Sequence, residues 1–319
     1  MARGAILLMG PTGAGKTDAA VALAARLPVE LVSVDSAMVY RGLDIGSAKP
    51  GADVLARAPH HLIDLCDPSE PYSVGAFLKD AEHVMAGIRG RGRVPLLVGG
   101  TMLYFRALQA GLADLPPADA GVRARLEARA REAGWPALHA ALGAIDPDAA
   151  ARIRPADGQR IQRALEVYEL TGRPLSELQR DSRRHPTAGD YLTLVLAPAA
   201  RATLDADLER RFDAMLAAGL VGEVETLYRR GDLAAELPAL RAVGYRQIWA
   251  HLGGHCDLAS ARVDAIRATR GLAKRQYTWL RAEPAAAWVE ARSAEAIETL
   301  LRRCDKWLAS SEGRSTSLC

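Results

Sequence analysis

The chain has 319 residues, with 41 Lys and Arg against 38 Asp and Glu for a formal charge of +3. That length can bury a core large enough for one big domain or two, and the 49% hydrophobic fraction is ordinary for a soluble globular protein. The mild positive charge allows an anionic partner without demanding one, and no apolar run reaches the ~18 residues of a membrane span.

Cys66, Cys256, Cys304 and Cys319 are scattered, without a C-x-x-C pair or a nearby histidine partner. The spacing argues against a zinc site or a disulfide framework and suits a reducing cytoplasm. A strand and loop begin almost at once, which leaves no room for a signal peptide. Only five of the 41 cations are lysines, so a lone arginine carries little functional signal here.

In chain order, Ala5-Ile6-Leu7-Leu8-Met9 reads as a buried strand. It runs into "GPTGAGKT", residues 10–17, which has the spacing of a loop whose backbone N–H groups cradle a diphosphate. Gly10, Thr12, Gly13, Ala14, Gly15 and Lys16 would hold the anion, and Thr17 could hold Mg²⁺. Residues 17–27 form a helical pattern, 31–34 a second buried strand, 74–88 another helix and 94–98 a third strand. This βαβ rhythm predicts a doubly wound parallel sheet with ligands beyond the carboxyl ends of its strands.

Three features fall at that edge: the 10–17 loop, Asp35-Ser36, and Gly99-Gly100-Thr101. Asp35 suits a helix N-cap, a magnesium neighbour or a general base beside a diphosphate. Asp64 in "HHLIDL" is the nearest second acidic residue. Thr101 suits an N-cap or a hydroxyl contact to ligand.

From about residue 113 to 188 the signals are helical only. Asp119 is placed to cap a helix that includes 122–133, and Asp157 one that ends at Thr171-Gly172. These residues read as an all-helical domain inserted into a core made of 1–112 and 189–309. Strand character returns at 191–196, the stretch 205–308 reads as helical, and 310–319 reads as a flexible polar tail. On a helical wheel, Arg267, Arg270, Lys274 and Arg281 share a 60° arc with no acidic residue inside 266–281. Such a stripe fits solvated surface or a phosphate-tracking rail. Arg160 and Arg163 offer a smaller basic face.

Six stretches occur in order: "GPTGAGKT", "SVDSAMVYRGLDIGSAKP", "LLVGGTMLYFRAL", "DGQRIQRALEV", "RAVGYRQ" and "LAKRQYTWLR". Together they resemble the bacterial tRNA dimethylallyltransferases over about residues 5–290. The resemblance implies an α/β fold of the P-loop NTPase type, a parallel sheet flanked by helices, with an inserted tRNA-facing helical domain. It implies transfer of a dimethylallyl group from dimethylallyl diphosphate, with Mg²⁺, to N6 of the adenosine 3′ to the anticodon in tRNAs reading codons that begin with U. The partner would be the tRNA anticodon stem-loop and the working form a cytoplasmic monomer.

By matching positions, Asp35 corresponds to the base that takes the N6 proton. Thr101 and Arg211 correspond to residues at the diphosphate and reacting centre. The tRNA-contacting stretches correspond to Ser36, Ala37 and Met38 after Asp35; to Gln159, Arg160, Ile161, Gln162 and Arg163; to Arg241, Gly244, Tyr245 and Arg246; and to Lys274, Arg275, Gln276 and Arg281, with Thr101 and Arg123 as further contacts. Gly13-Ala14 stands where many members carry Ala-Ser, and Met38 where many carry glutamine. A P-loop kinase of a nucleoside or small metabolite would share the loop and Asp35 but leaves the basic helix unexplained. A free-nucleotide isopentenyltransferase would lack much of the C-terminal portion, and a relic RNA-binding module would not need Lys16, Thr17 and Asp35 together.

Overall fold

The computed structural model describes residues 4–181, 190–283 and 285–315. The chain divides into two compact units, one made of residues up to 106 and from 188 onward, the other of 107–187. The division thus falls six residues before the expected start of the insertion.

In the first unit, β1 (Ala5–Met9), α1 (Lys16–Ala24), β2 (Val29–Val34), α2 (Ala52–Arg57), β3 (His60–His61), α3 (Val74–Gly90) and β4 (Val94–Gly99) follow one another, and α4 (Met102–Ala110) spans the division. The second unit holds α5 (Ala120–Ala133), α6 (Trp135–Ile145), α7 (Pro147–Arg152), α8 (Gly158–Thr171) and α9 (Leu175–Asp181). The chain then returns as β5 (Tyr191–Ala197), α10 (Arg201–Ala217), α11 (Leu220–Tyr228), α12 (Tyr245–Leu252), α13 (Leu258–Leu280), β6 (Ala287–Glu290) and α14 (Ala296–Ser315).

The six strands pair in the order β3-β2-β4-β1-β5-β6, and every pair is parallel. A parallel sheet is covered on both faces, so its central strands are apolar throughout; all five residues of β1 are fully buried. Ile6 and Leu8, two apart, face one side with Leu31, Leu96, Leu194 and Leu196. Ala19, Ala20 and Leu23 of α1 and Leu300, Leu301, Cys304 and Trp307 of α14 close over them. Each such leucine contributes about 1.5–3 kcal/mol when fully buried. A separate cluster joins α10 to α13 through Phe212, Leu220, Val224, Tyr245, Ile248 and Ile266, and it anchors the segment after β2 through Val39, Tyr40 and Leu43.

Two strands were not foreseen. β3 has only two residues, too few to show a period. β6 lies inside the stretch expected to be helical; as an edge strand paired on one side with β5, it buries only Val289 fully, so it lacks the apolar run of a central strand. The tail also differs, because α14 continues to Ser315. Once Leu300, Leu301 and Trp307 have docked the helix, extending it adds one bond for each residue ordered, so polar residues can follow. Residues 316–319, the rest of the expected tail, lie outside the described residues.

In the second unit, Val122, Leu126, Leu138, Leu142, Ile161, Leu165 and Leu175 form their own core. Asp119 caps α5 by accepting from the Val122 N–H, Asp157 caps α8 by accepting from the Arg160 N–H, and Gly172 ends α8 in the left-handed conformation. No helix of the described residues is long and apolar enough to cross a membrane.

Candidate active site

The loop after β1 turns twice through left-handed backbone, at Gly13 (φ 80°) and Gly15 (φ 76°), which side chains with a Cβ rarely adopt. Gly10 is required for a different reason: a Cβ there would lie 2.2 Å from the Leu196 carbonyl oxygen of β5. The loop closes on itself as the Ala14 N–H donates to Pro11 O (3.3 Å) and Lys16 Nζ donates to the same carbonyl (2.7 Å). Gly15 then caps α1 without a side-chain acceptor, so the N-terminal amides of α1 face the loop, where the helix dipole favours an anion.

Burial draws the Lys16 ammonium down from 10.5 to about 8, with Asp35 pulling it back up and Arg211 adding to the fall. The same burial lowers Arg211, again opposed by Asp35. The carboxylate and the two cations thus share one cleft, although they come from α1, the end of β2 and α10.

Asp35 Oδ1 accepts from the Ala37 N–H (2.8 Å) and the Met38 N–H (3.2 Å). This oxygen does the turn-capping that the sequence left open, while Oδ2 has no hydrogen-bond partner among the described residues. Thr101 braces the same turn, its Oγ1 accepting from the Ser36 N–H at 3.1 Å. Gly99 permits that approach, since a Cβ there would meet Val34 O at 2.0 Å. Met38 lies back against Ser33, whose hydroxyl points at its sulfur (3.9 Å).

Together these groups line a cleft of about 680 Å³ that includes Thr12, Gly13, Gly15, Lys16, Thr17, Asp35, Ser36, Ala37, Met38, Thr101 and Arg211. Met102, Leu103, Leu208, Phe212, Met215, Leu272 and Trp279 supply an apolar wall to the same cleft. An anion cradle, a carboxylate and an apolar wall therefore share one space. Asp64 is not part of it: Lys49 Nζ donates to it and to Asp44, both at 2.5 Å.

The residues matched to tRNA contacts divide into two groups. Arg241, Arg246 and Arg275, with Arg267 of the basic stripe, line a second hollow of about 680 Å³ along α12 and α13, and Arg241 and Arg275 line the first cleft as well. Lys274 and Arg281 are exposed, and Arg281 lies over the Tyr277 ring at 5.8 Å. Gly244 has φ 95° and begins α12.

In the other group most members are buried or bonded within the chain. Tyr245 is fully buried, and its hydroxyl donates to Glu223 Oε1 at 2.5 Å. Ile161 is fully buried in the core of the second unit. Gln276 is 7% exposed, with both ends of its amide engaged inside the first unit. Arg123 and Arg163 both pair with the buried Glu166, Arg160 pairs with Asp157, and Gln162 donates to Glu127 and to Arg123 O. Gln159, beside them on α8, is exposed. The stripe on α13 is not free of carboxylates either: Arg270 pairs with Glu209 of α10 and Arg267 with Asp264. The wheel counted only the helix's own residues 266–281 and could not see a partner on α10 or one turn upstream.

Sequence reasoning missed Glu223. It accepts from the N–H groups of Asp44 (3.1 Å), Ile45 (2.7 Å) and Gly46 (3.2 Å), and Gly46 and Ser47 line the cleft. No local pattern marks a glutamate whose backbone partners lie about 180 residues away.

A family model described as IPP transferase matches residues 38–283, and one described as isopentenyl transferase matches 3–64. A tRNA dimethylallyltransferase of Thioalkalivibrio sulfidiphilus is 60% identical over 280 residues, 88% of each chain. One from Thiobacillus denitrificans is 60% identical over 283 residues, covering 88% of this chain and 90% of the other. Among solved structures, the tRNA isopentenylpyrophosphate transferase of Bacillus halodurans superposes with a TM-score of 0.71 at 35% identity, covering 99% of each chain. A eukaryotic dimethylallyltransferase acting on tRNA shares the fold with a TM-score of 0.83 at 24% identity, covering 97% of this chain and 80% of the other.

Proposed function

This chain belongs to the tRNA dimethylallyltransferase family, and from that premise we propose that it transfers a dimethylallyl group from dimethylallyl diphosphate to N6 of the adenosine 3′ to the anticodon, in tRNAs reading codons that begin with U. One observation carries the reading: the phosphate loop, Asp35 and Arg211 open into a cleft that also has an apolar wall of Leu208, Phe212, Met215 and Trp279. A diphosphate ester with a hydrocarbon arm needs both surfaces at once.

The adenine N6 lone pair is delocalised into the ring and is a weak nucleophile. Asp35, held through Oδ1, keeps Oδ2 to accept the N6 proton as the new C–N bond forms, which typically contributes about 10²–10⁴-fold. The allylic C–O bond breaks, and its electrons leave on diphosphate. Lys16, Arg211 and the amides at the start of α1 stabilise that charge in partly desolvated surroundings. The apolar wall keeps water from an allylic carbon that develops positive charge. An RNA base must leave its stack to reach such a cleft, and Arg241 and Arg275, shared with the neighbouring basic hollow, mark the side from which it would enter.

Among the described residues, no three His, Cys, Asp or Glu side chains gather to hold a metal. Magnesium usually takes one or two protein oxygens and completes its shell with phosphate and water. The Thr17 hydroxyl at the start of α1 would supply that share. When bound, the ion neutralises charge on the departing diphosphate. The working form is taken as a cytoplasmic monomer; sedimentation of the purified chain tests the monomeric state.

The deciding assay combines the protein with dimethylallyl diphosphate, Mg²⁺ and unmodified tRNA, followed by mass analysis of the digested nucleosides. A five-carbon mass gain on adenosine is the expected result. ATP turnover without allylic diphosphate, and no such gain, would establish a kinase instead.

A further inference from the structure

Helix α13 presents two faces. Lys274, Arg275 and Arg281 are exposed on one; Ala273, Gln276, Tyr277 and Leu280 are buried on the other. Gln276 is the polar member of that buried set, and its amide is used at both ends. Oε1 accepts from the Thr12 N–H at 2.9 Å, and Nε2 donates to Gly100 O at 2.9 Å. The fit is close, since a Cβ on Gly100 would lie 2.5 Å from Nε2.

The two partners belong to different parts of the site. Thr12 lies within the phosphate loop after β1. Gly100 lies in the turn after β4 and precedes Thr101, whose hydroxyl braces the Asp35 turn after β2. One side chain on α13 therefore ties the phosphate loop after β1 to the turn after β4, and through Thr101 that turn meets the Asp35 turn. It is placed between exposed cations but is itself buried to 7% exposure, at the edge of the cleft and with its amide turned to the two backbone groups.

We propose that Gln276 is a positioning residue for the transfer reaction: it fixes the phosphate loop and the Thr101 turn to α13 and does not contact RNA. The proposal rests on the function given above. The pairing demands an acceptor and a donor on one planar group. A carboxylate would still serve Thr12 but would oppose the Gly100 carbonyl and put a negative charge beside the cradle; an alkyl group would leave an amide and a carbonyl unpaired, each at a cost. Because the Thr12 N–H is committed to Gln276, it anchors the loop to α13 and is not itself a donor to the anion.

The test uses the full chain carrying Gln276→Leu or Gln276→Glu. Inorganic pyrophosphate affinity is measured by calorimetry without RNA, and tRNA affinity by filter binding without pyrophosphate; kcat and both KM values follow. Expected is a loss of pyrophosphate affinity of about tenfold or more in each variant, with the larger loss in Gln276→Glu. tRNA affinity should stay within about twofold, and kcat should fall while the KM for tRNA holds. Unchanged pyrophosphate affinity, or a defect confined to tRNA binding, would overturn the proposal. If Gln276→Leu does not fold, Gln276→Glu, which keeps the Thr12 bond, decides alone. A wild-type chain that binds no pyrophosphate would overturn the reading of the site and the proposal with it, whereas normal wild-type binding matched by both variants sinks the proposal only.

Discussion

Tyr245 and Glu223 share a partly buried hydrogen bond of 2.5 Å, and the same carboxylate gathers three consecutive backbone N–H groups from residues 44–46. The pair ties α11 and α12 to the segment that forms one wall of the cleft. A hydrogen bond to a charged group contributes about 1.5–3 kcal/mol. Tyr245→Phe should therefore lower stability by about that amount, read from denaturant unfolding, and leave tRNA affinity unchanged because the ring meets no solvent. Weaker tRNA binding at intact stability would restore Tyr245 as a contact residue.

Asp35→Asn keeps an acceptor for the Ala37 and Met38 amides and removes the proton acceptor on Oδ2. Turnover should drop about 10²–10⁴-fold, while tRNA affinity in a filter assay stays near normal. Turnover close to wild type would exclude Asp35 as the base.

Lys16 sets a pH limit on the site. Its ammonium is held down to about 8 by burial, so the free protein loses that charge as pH rises through about 8 instead of near its usual 10.5. Pyrophosphate affinity should decline above pH 8 by up to about tenfold per pH unit until the bound form also titrates. Arginine stays charged, so Lys16→Arg controls for titration of the ligand. Calorimetry on both proteins between pH 6.5 and 9.5 should show the decline near 8 in the wild type alone.

The cations of α13 should not act alike. Lys274 and Arg281 are exposed and have no carboxylate partner among the described residues, whereas Arg267 and Arg270 are paired. Lys274→Ala with Arg281→Ala should reduce the slope of log affinity for tRNA against log salt by about 1.4–1.8. Arg267→Ala with Arg270→Ala should reduce it less. Equal slopes for the two double variants would remove the distinction.

Glu166 governs the second unit. It is fully buried; desolvation pushes its carboxyl up, but Arg123, Arg163 and the Asp119 N–H outweigh that and hold it below its ordinary value. A depressed native value stabilises the fold above the unfolded carboxyl's titration, near pH 4.5, and the contribution disappears as pH falls through the native value. Glu166→Gln should flatten the acid limb of the unfolding curve and cost about 1–3 kcal/mol at neutral pH. An unaltered acid limb would mean that this cluster does not control acid stability.

By itself, the order of residues determined the four central strands, the loop and the caps. Ala5–Met9 is apolar without interruption because both faces of a parallel sheet are covered, Gly13 and Gly15 mark left-handed backbone, and Asp119 and Asp157 bond amides three residues away. Each signal spans only a few residues, so it survives without knowledge of the fold. Tertiary structure alone decided which side chains inside the recognised motifs are buried. Tyr245, Ile161 and Gln276 sit among exposed cations along the chain yet point inward, and Arg270 meets Glu209 from a helix 61 residues earlier. Charge pairing and burial depend on distance through space, and a linear pattern does not contain that distance.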